Sequence, residues 1–144
     1  PQIPLCIAGR QPPQIIRDLA KSNAQIEVIA DPIDMSLVAA ECSLSVVPLR
    51  SGSGTRIKIL HSMAMGLPVV STSIGCEGLE VSDRTHLLIK DTPQDFAQGV
   101  IELIGDQKLW QQLQAKGRQL VEENYDWSAI FAEYEATLSM SIEQ

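Results

Sequence analysis

Five short apolar or β-branched runs punctuate this chain: "IPLCIA" (3–8), "IEVIA" (26–30), "LSVVPL" (44–49), "PVVST" (68–72) and "HLLIK" (86–90). Segments with helical spacing separate the first four. "PQIIRDLAKS" sets Ile15, Ile16 and Leu19 on one face, "MSLVAAEC" sets Leu37 and Val38 against Ala40 and Cys42, and "TRIKILHSMAMG" aligns Ile57, Leu60 and Ala64. Strands that alternate with helices in this way pair in parallel, and runs built almost wholly of Val, Ile and Leu must be covered on both faces. The pattern therefore predicts an α/β fold with a doubly wound parallel sheet.

After residue 90 the pattern becomes helical only. "TPQDFAQGVIELIGD" opens with Thr92 as N-cap and Pro93 at the first helical position, then spaces Phe96, Val100 and Leu103 or Ile104 along one face. A second helix carries Leu109, Leu113, Leu120 and Val121, and a last one, Trp127 to Leu138, carries Trp127, Phe131 and Tyr134. There is no internal repeat and no low-complexity tract.

With 144 residues, 44% of them hydrophobic, the chain is large enough for one domain with a buried core. Its net charge of −7 is unevenly distributed: residues 91–144 hold ten acids against three bases, and residues 1–90 hold eight of each. No basic stripe exists to meet a phosphate backbone, so nucleic acid is excluded as the partner. No apolar run approaches the roughly 20 residues needed to span a bilayer, and no transmembrane segment is expected. Cys6, Cys42 and Cys76 are odd in number and lack CxxC spacing. They read as reduced thiols of a cytoplasmic protein, Cys6 and Cys42 in its core. His61 and His86 have no ligand partner at i+3 or i+4, so no metal and no cofactor are expected. The chain enters an apolar run almost at once from Pro1, which reads as a piece cut from a longer protein.

The chemistry concentrates in "LRSGSGTRIKILHSMAMGLPVVST", residues 49–72. No Asp or Glu occurs between Glu41 and Glu77, yet Arg50, Arg56, Lys58 and His61 all fall in that window. If "LSVVPL" is a strand and "TRIKILHSMAM" a helix, "RSGSG" is the turn at the carboxyl end of a strand, where ligands bind in doubly wound sheets. Gly52 and Gly54 let the backbone approach a ligand closely, and free N–H groups of the next helix can point at an anion. Cations in a helix's first turn oppose its dipole by roughly 0.3–1 kcal/mol each unless an anion sits beside them. Arg56, Lys58 and the two glycines have no evident structural use in the sequence. A phosphate or diphosphate is the ligand this pattern predicts. The segment lacks the Walker GxxxxGK[ST] loop, and it lacks the third glycine and strand-end acid of a dinucleotide fingerprint.

"PLRSGSGTRIKILHSMAMGLPVVSTSIGCEGL", "HLLIKDTPQDFA" and "GRQLVEENYDW" together resemble the C-terminal, donor-binding half of retaining GT-B glycosyltransferases of the family 4 type. The resemblance runs over essentially the whole chain. It implies that residues 1–144 form one Rossmann-like, nucleotide-sugar-binding domain of a two-domain enzyme. The partners it implies are a nucleotide-diphosphate sugar donor and a glycan or lipid-linked acceptor, the latter bound by an N-terminal domain missing here. The isolated fragment would then be inactive. By the same resemblance Arg56 and Lys58 are the catalytic cations that stabilise the leaving diphosphate without a metal. Gly52, Ser53, Gly54 and Thr55 lie beside sugar and diphosphate, His61 stands at the ribose position, and Glu77 and Gly78 lie near the sugar or ribose. The strand end around "IADP", 28–32, looks like the place of the base.

Two positions depart from the family pattern: His61 replaces the Glu of "KILEAMAMG", and Ser53 stands where many members have another Glu. A neutral His offers one hydrogen bond to a ribose hydroxyl but not the two acceptor oxygens of a carboxylate. A degenerate, non-catalytic GT-B domain acting as a binding or interaction module is the alternative that these losses raise. Finally, the Trp127–Leu138 helix is expected to leave its aromatic face exposed for the missing domain.

Overall fold

The computed structural model describes residues 2–52, 54–128, 130 and 131. The chain divides into two compact units, 1–43 and 44–144. In the first, β1 (Leu5–Gly9) pairs in parallel with β2 (Ile26–Ala30), Leu5 opposite Ile26 and Gly9 opposite Ala30. Helix α1 (Gln14–Ser22) crosses between them and α2 (Met35–Ala40) follows, capped by Asp34, whose carboxylate accepts from the Ser36 N–H. Asp31 joins the two strand ends: its N–H donates to the Gly9 carbonyl at 2.9 Å and its carboxylate accepts from the Gln11 N–H at 3.1 Å. The expected apolar faces of α1 and α2 are only partly covered. Ile16 and Val38 are half-buried and Ala39 is buried, while Ile15 and Leu37 are exposed. Cys6 and Cys42 are half-buried rather than core residues, and all three thiols are free, Cys76 being the buried one.

The second unit holds the core. Strands β3 (Ser45–Val47), β4 (Val69–Ser71) and β5 (Leu88–Ile89) run parallel in that order. β4 is central, and its successive side chains point to opposite faces. Val69 joins a cluster with Val47, Ile59, Met63, Cys76, Leu87 and Leu120. Val70 joins another with Leu88, Leu103, Leu109 and Leu113. Each fully buried Val, Leu or Ile stabilises by about 1.5–3 kcal/mol relative to exposure. The two-faced covering predicted for near-continuous apolar strands is thus observed.

Helices α3 (Ile57–Ala64) and α4 (Ser73–Cys76) follow β3 and β4, and α5 (Pro93–Gly105) and α6 (Gln107–Asn124) follow β5. α5 begins as its sequence requires: the Thr92 hydroxyl oxygen accepts from the Asp95 N–H at 3.1 Å and Pro93 occupies the first turn. α3 is rotated from the expected face. Ile59, Ser62 and Met63 are buried while Ile57 is exposed, because Ser62 forms a 2.8 Å hydroxyl–hydroxyl bond to Ser45 of β3 and so is tolerated inside.

The far end of α3 is fixed by α6. Gln114 Nε2 donates to the Gly66 carbonyl at 3.1 Å, and Arg118 Nη1 donates to the Ala64 carbonyl. These bonds satisfy acceptors that a helix C-terminus leaves open. Trp127 and Phe131 are exposed, with ring centroids 5.8 Å apart. Tyr134 and Leu138 lie outside the described residues.

Candidate functional site

Parallel strands send their following segments off one edge, so the chain after β3, β4 and β5 meets at the carboxyl edge of the three-stranded sheet. Hydrogen bonds tie these segments together. The Thr72 hydroxyl donates to the Leu49 carbonyl and accepts from the Gly75 N–H at 2.9 Å. Ser73 donates to Asp91 Oδ1 from its N–H at 2.7 Å and from its hydroxyl at 2.9 Å. Those two bonds, the backbone one first, hold the Asp91 carboxyl below its ordinary range. Behind the loop that follows α4, the Tyr125 phenol oxygen accepts from the Glu80 N–H at 3.1 Å.

The glycine loop enters α3 through Gly52 at φ 151° and Gly54 at φ 87°, conformations that side chains with a Cβ rarely adopt. Arg56 stands at the N-cap position of α3. It is only 6% exposed, and its Nη2 donates to the Gly52 carbonyl at 3.1 Å and to Glu77 Oε2 at 3.3 Å. Arg56 therefore has a structural use that its sequence context does not reveal: it draws the loop back over the helix start. Its Nε is buried with no hydrogen-bond partner.

Lys58, in the first turn of α3, is exposed: its carbonyl accepts from the Ser62 hydroxyl at 2.9 Å, while its ammonium makes no hydrogen bond or ion pair among the described residues. No side chain caps α3 or α1, whereas Asp34, Thr72, Thr92 and Asp106 cap α2, α4, α5 and α6. The first N–H groups of α3 thus lack a capping side chain and lie beside two cations. A recess of about 290 Å³ opens there, lined by Leu49, Ser51, Gly52, Thr55, Arg56, Ile57 and Lys58.

The structure gathers Gly52, Thr55, Arg56 and Lys58 around this recess, with Glu77 joined to it through Arg56. Gly54 is exposed in the same loop, and Gly78, at φ 81°, follows Glu77. His61 is exposed on α3 one turn beyond Lys58, outside the recess lining. Ser53 lies outside the described residues. Thr72, Ser73, Gly75 and Asp91 complete the edge and were not singled out from sequence. The spacing of Thr72 and Gly75, an N-cap and the residue three on, is the local signal that marks the first of them. Among the described residues no three His, Cys, Asp or Glu side chains gather as metal ligands do, and no helix is long and apolar enough to cross a membrane.

The sequence profile of the family described as Glycosyl transferases group 1 matches residues 1–106. An uncharacterized 44.6 kDa protein of the cps region in Klebsiella pneumoniae is 30% identical over 141 residues, which cover 92% of this chain and 36% of that relative. The chain thus spans about a third of the relative's length. Among solved structures, the C-terminal domain of a glycosyl transferase group 1 family protein, LpcC from Francisella tularensis, superposes with a TM-score of 0.67 at 20% identity, covering 79% of this chain and 62% of that one. Staphylococcus aureus TarM, in a complex with fondaparinux, α-GlcNAc-glycerol and UDP, superposes with a TM-score of 0.75 at 17% identity over 92% of this chain and 28% of that one. By its profile and its parallel α/β architecture, the chain belongs to the group 1 glycosyltransferases and has the Rossmann-like fold of a GT-B C-terminal domain.

Proposed function

We propose that this chain is the donor-binding domain of a glycosyltransferase that moves a hexose from a nucleotide-diphosphate sugar to a glycan or lipid-linked acceptor. The observation that carries the reading is the start of α3: an uncapped helix N-terminus, the exposed cation of Lys58 and the buried cation of Arg56 border one recess. Such an arrangement favours an anion, and a diphosphate supplies the charge that the helix start lacks. UDP in the TarM complex supports a nucleoside diphosphate as the ligand class.

In this reading Arg56 and Lys58 stabilise the charge that develops on the leaving diphosphate, and the amides of α3 add to their field. Gly52, Ser53, Gly54 and Thr55 border the sugar and diphosphate, His61 faces the ribose, and Glu77 and Gly78 lie near the sugar or ribose. The acceptor is held by an N-terminal domain outside this chain, and closure of the two domains assembles the reacting groups. The isolated chain then binds nucleoside diphosphate weakly and transfers nothing. Calorimetric titration with UDP, GDP and their sugars tests the reading. Binding of one nucleoside diphosphate over the other, with none of free hexose, supports it. Robust transfer by this chain alone overturns the two-domain division.

A second reading, a non-catalytic binding module, draws on the departures from the resembled pattern: His61, which is exposed, and Ser53 stand where that pattern has Glu. The longer protein separates the two readings. Donor binding without turnover in the presence of acceptor glycans favours the module.

A further inference from the structure

The ion pair between Arg56 and Glu77 is lopsided. The Arg56 side chain is 6% exposed and the Glu77 side chain 73% exposed, and one contact of 3.3 Å joins them. A guanidinium offers five N–H donors. Here Nη2 serves both the Gly52 carbonyl and Glu77, while the buried Nε serves nothing. A charge taken out of water and short of acceptors is costly to hold, and a half-exposed ion pair compensates only weakly. Glu77, by contrast, is already largely hydrated and loses little on leaving. It ends the four-residue α4 and is followed by Gly78 in a left-handed conformation, so no regular element extends through it.

We infer that Glu77 is a displaceable counter-ion, which occupies Arg56 while the recess is free of ligand and gives way to the phosphate groups of an incoming diphosphate. This rests on the recess being the diphosphate site, and it changes the part assigned to Glu77. A carboxylate that reads sugar or ribose helps the donor bind and matters only to ligands that carry those groups. A counter-ion competes with every diphosphate, whatever is attached to it. The incoming group wins because it carries more negative charge and more acceptor oxygens than one carboxylate, and because its bonds to the guanidinium are charge-assisted. Glu77 then turns into water without uncovering buried apolar surface.

The test is a calorimetric titration of the wild-type chain and Glu77→Gln with sodium pyrophosphate and, separately, with UDP and GDP. Gln preserves shape at an exposed position, and a cooperative denaturation of unchanged steepness, with a midpoint lowered by no more than the loss of one half-exposed ion pair, verifies that the fold is intact. The expected result is tighter binding by the variant, about two- to fivefold, the scale of a half-exposed ion pair, and by the same factor for pyrophosphate and for the nucleoside diphosphate. Weaker binding of both ligands would make Glu77 a positioning residue for Arg56 and overturn the inference. A change confined to the nucleoside diphosphates would assign Glu77 to ribose and overturn it as well, as would unchanged affinity for both. If neither protein binds any of these ligands, the reading of the recess as a diphosphate site fails, and the counter-ion role fails with it. A wild type that binds and a variant that binds no tighter refutes the counter-ion role alone.

Discussion

Gly75 lies against Ser71 so closely that a methyl group on its α-carbon would stand 2.3 Å from Ser71 Oγ and 2.9 Å from the Val47 carbonyl oxygen. The second distance matters more, because a hydroxyl can turn away and a strand carbonyl cannot. Replacing Gly75 by Ala therefore forces α4 off the sheet edge, at a cost of about 1–3 kcal/mol, the usual range for overpacking a filled site. Urea denaturation measures it. A neutral effect would mean that the edge yields freely and is no fixed platform for the glycine loop.

Asp91 gives a pH dependence with a definite sign. Its carboxyl is held low in the folded chain by the Ser73 N–H and hydroxyl, so its bonds stabilise the fold above the unfolded value of about 3.9 and are lost as pH falls through the folded pKa. Asp91→Asn removes that titration. The stability difference between wild type and variant is expected to be present at neutral pH and to close in the acid range below about pH 4. A difference that does not change with pH would contradict the assignment.

These two contacts also mark the limit of what the sequence reveals. Thr92 and Pro93 announce α5 because a cap and a fixed φ act within a few residues. The glycine loop and the cations after β3 are legible for the same reason, as is the two-faced covering of β4. The Glu77 partner of Arg56 is 21 residues away, across α3, β4 and α4, and nothing local points to it. The apolar spacing of α3 points to a different face from the buried one because the bond between Ser62 and Ser45 makes a polar residue a core residue. Nothing around Gly75 in the sequence signals that the Val47 carbonyl lies against it. The exposed face of α1 was equally hidden, since Ile15 is apolar, helical and still 76% exposed.

Lys58→Ala separates binding from folding. Affinity for a nucleoside diphosphate is expected to fall by about 1–3 kcal/mol, the scale of a charge-assisted hydrogen bond. Thermal stability without ligand is expected to stay unchanged or rise slightly, because an exposed cation leaves the positive end of α3. Lost stability with undiminished affinity would reverse both signs and remove Lys58 from the site.

His61→Glu installs the carboxylate that the resemblance to family 4 sequences implies at this position, one turn from Lys58 on the exposed face of α3. Two acceptor oxygens hold a ribose better than one imidazole nitrogen. Tighter binding of a nucleoside diphosphate with unchanged binding of pyrophosphate is the expected pair of results by calorimetry. Equal responses would mean that position 61 does not face ribose.

The central claim, that a diphosphate sits at the start of α3, is tested most directly by following the backbone amide resonances of the isotope-labelled chain during titration with UDP and GDP. A diphosphate in the recess moves the amides of Gly54, Thr55, Ile57 and Lys58 most, saturably, and Lys58→Ala weakens the response. Saturable shifts confined to α6 or to the strand ends at Gly9 and Ala30, with the start of α3 unmoved, would contradict it.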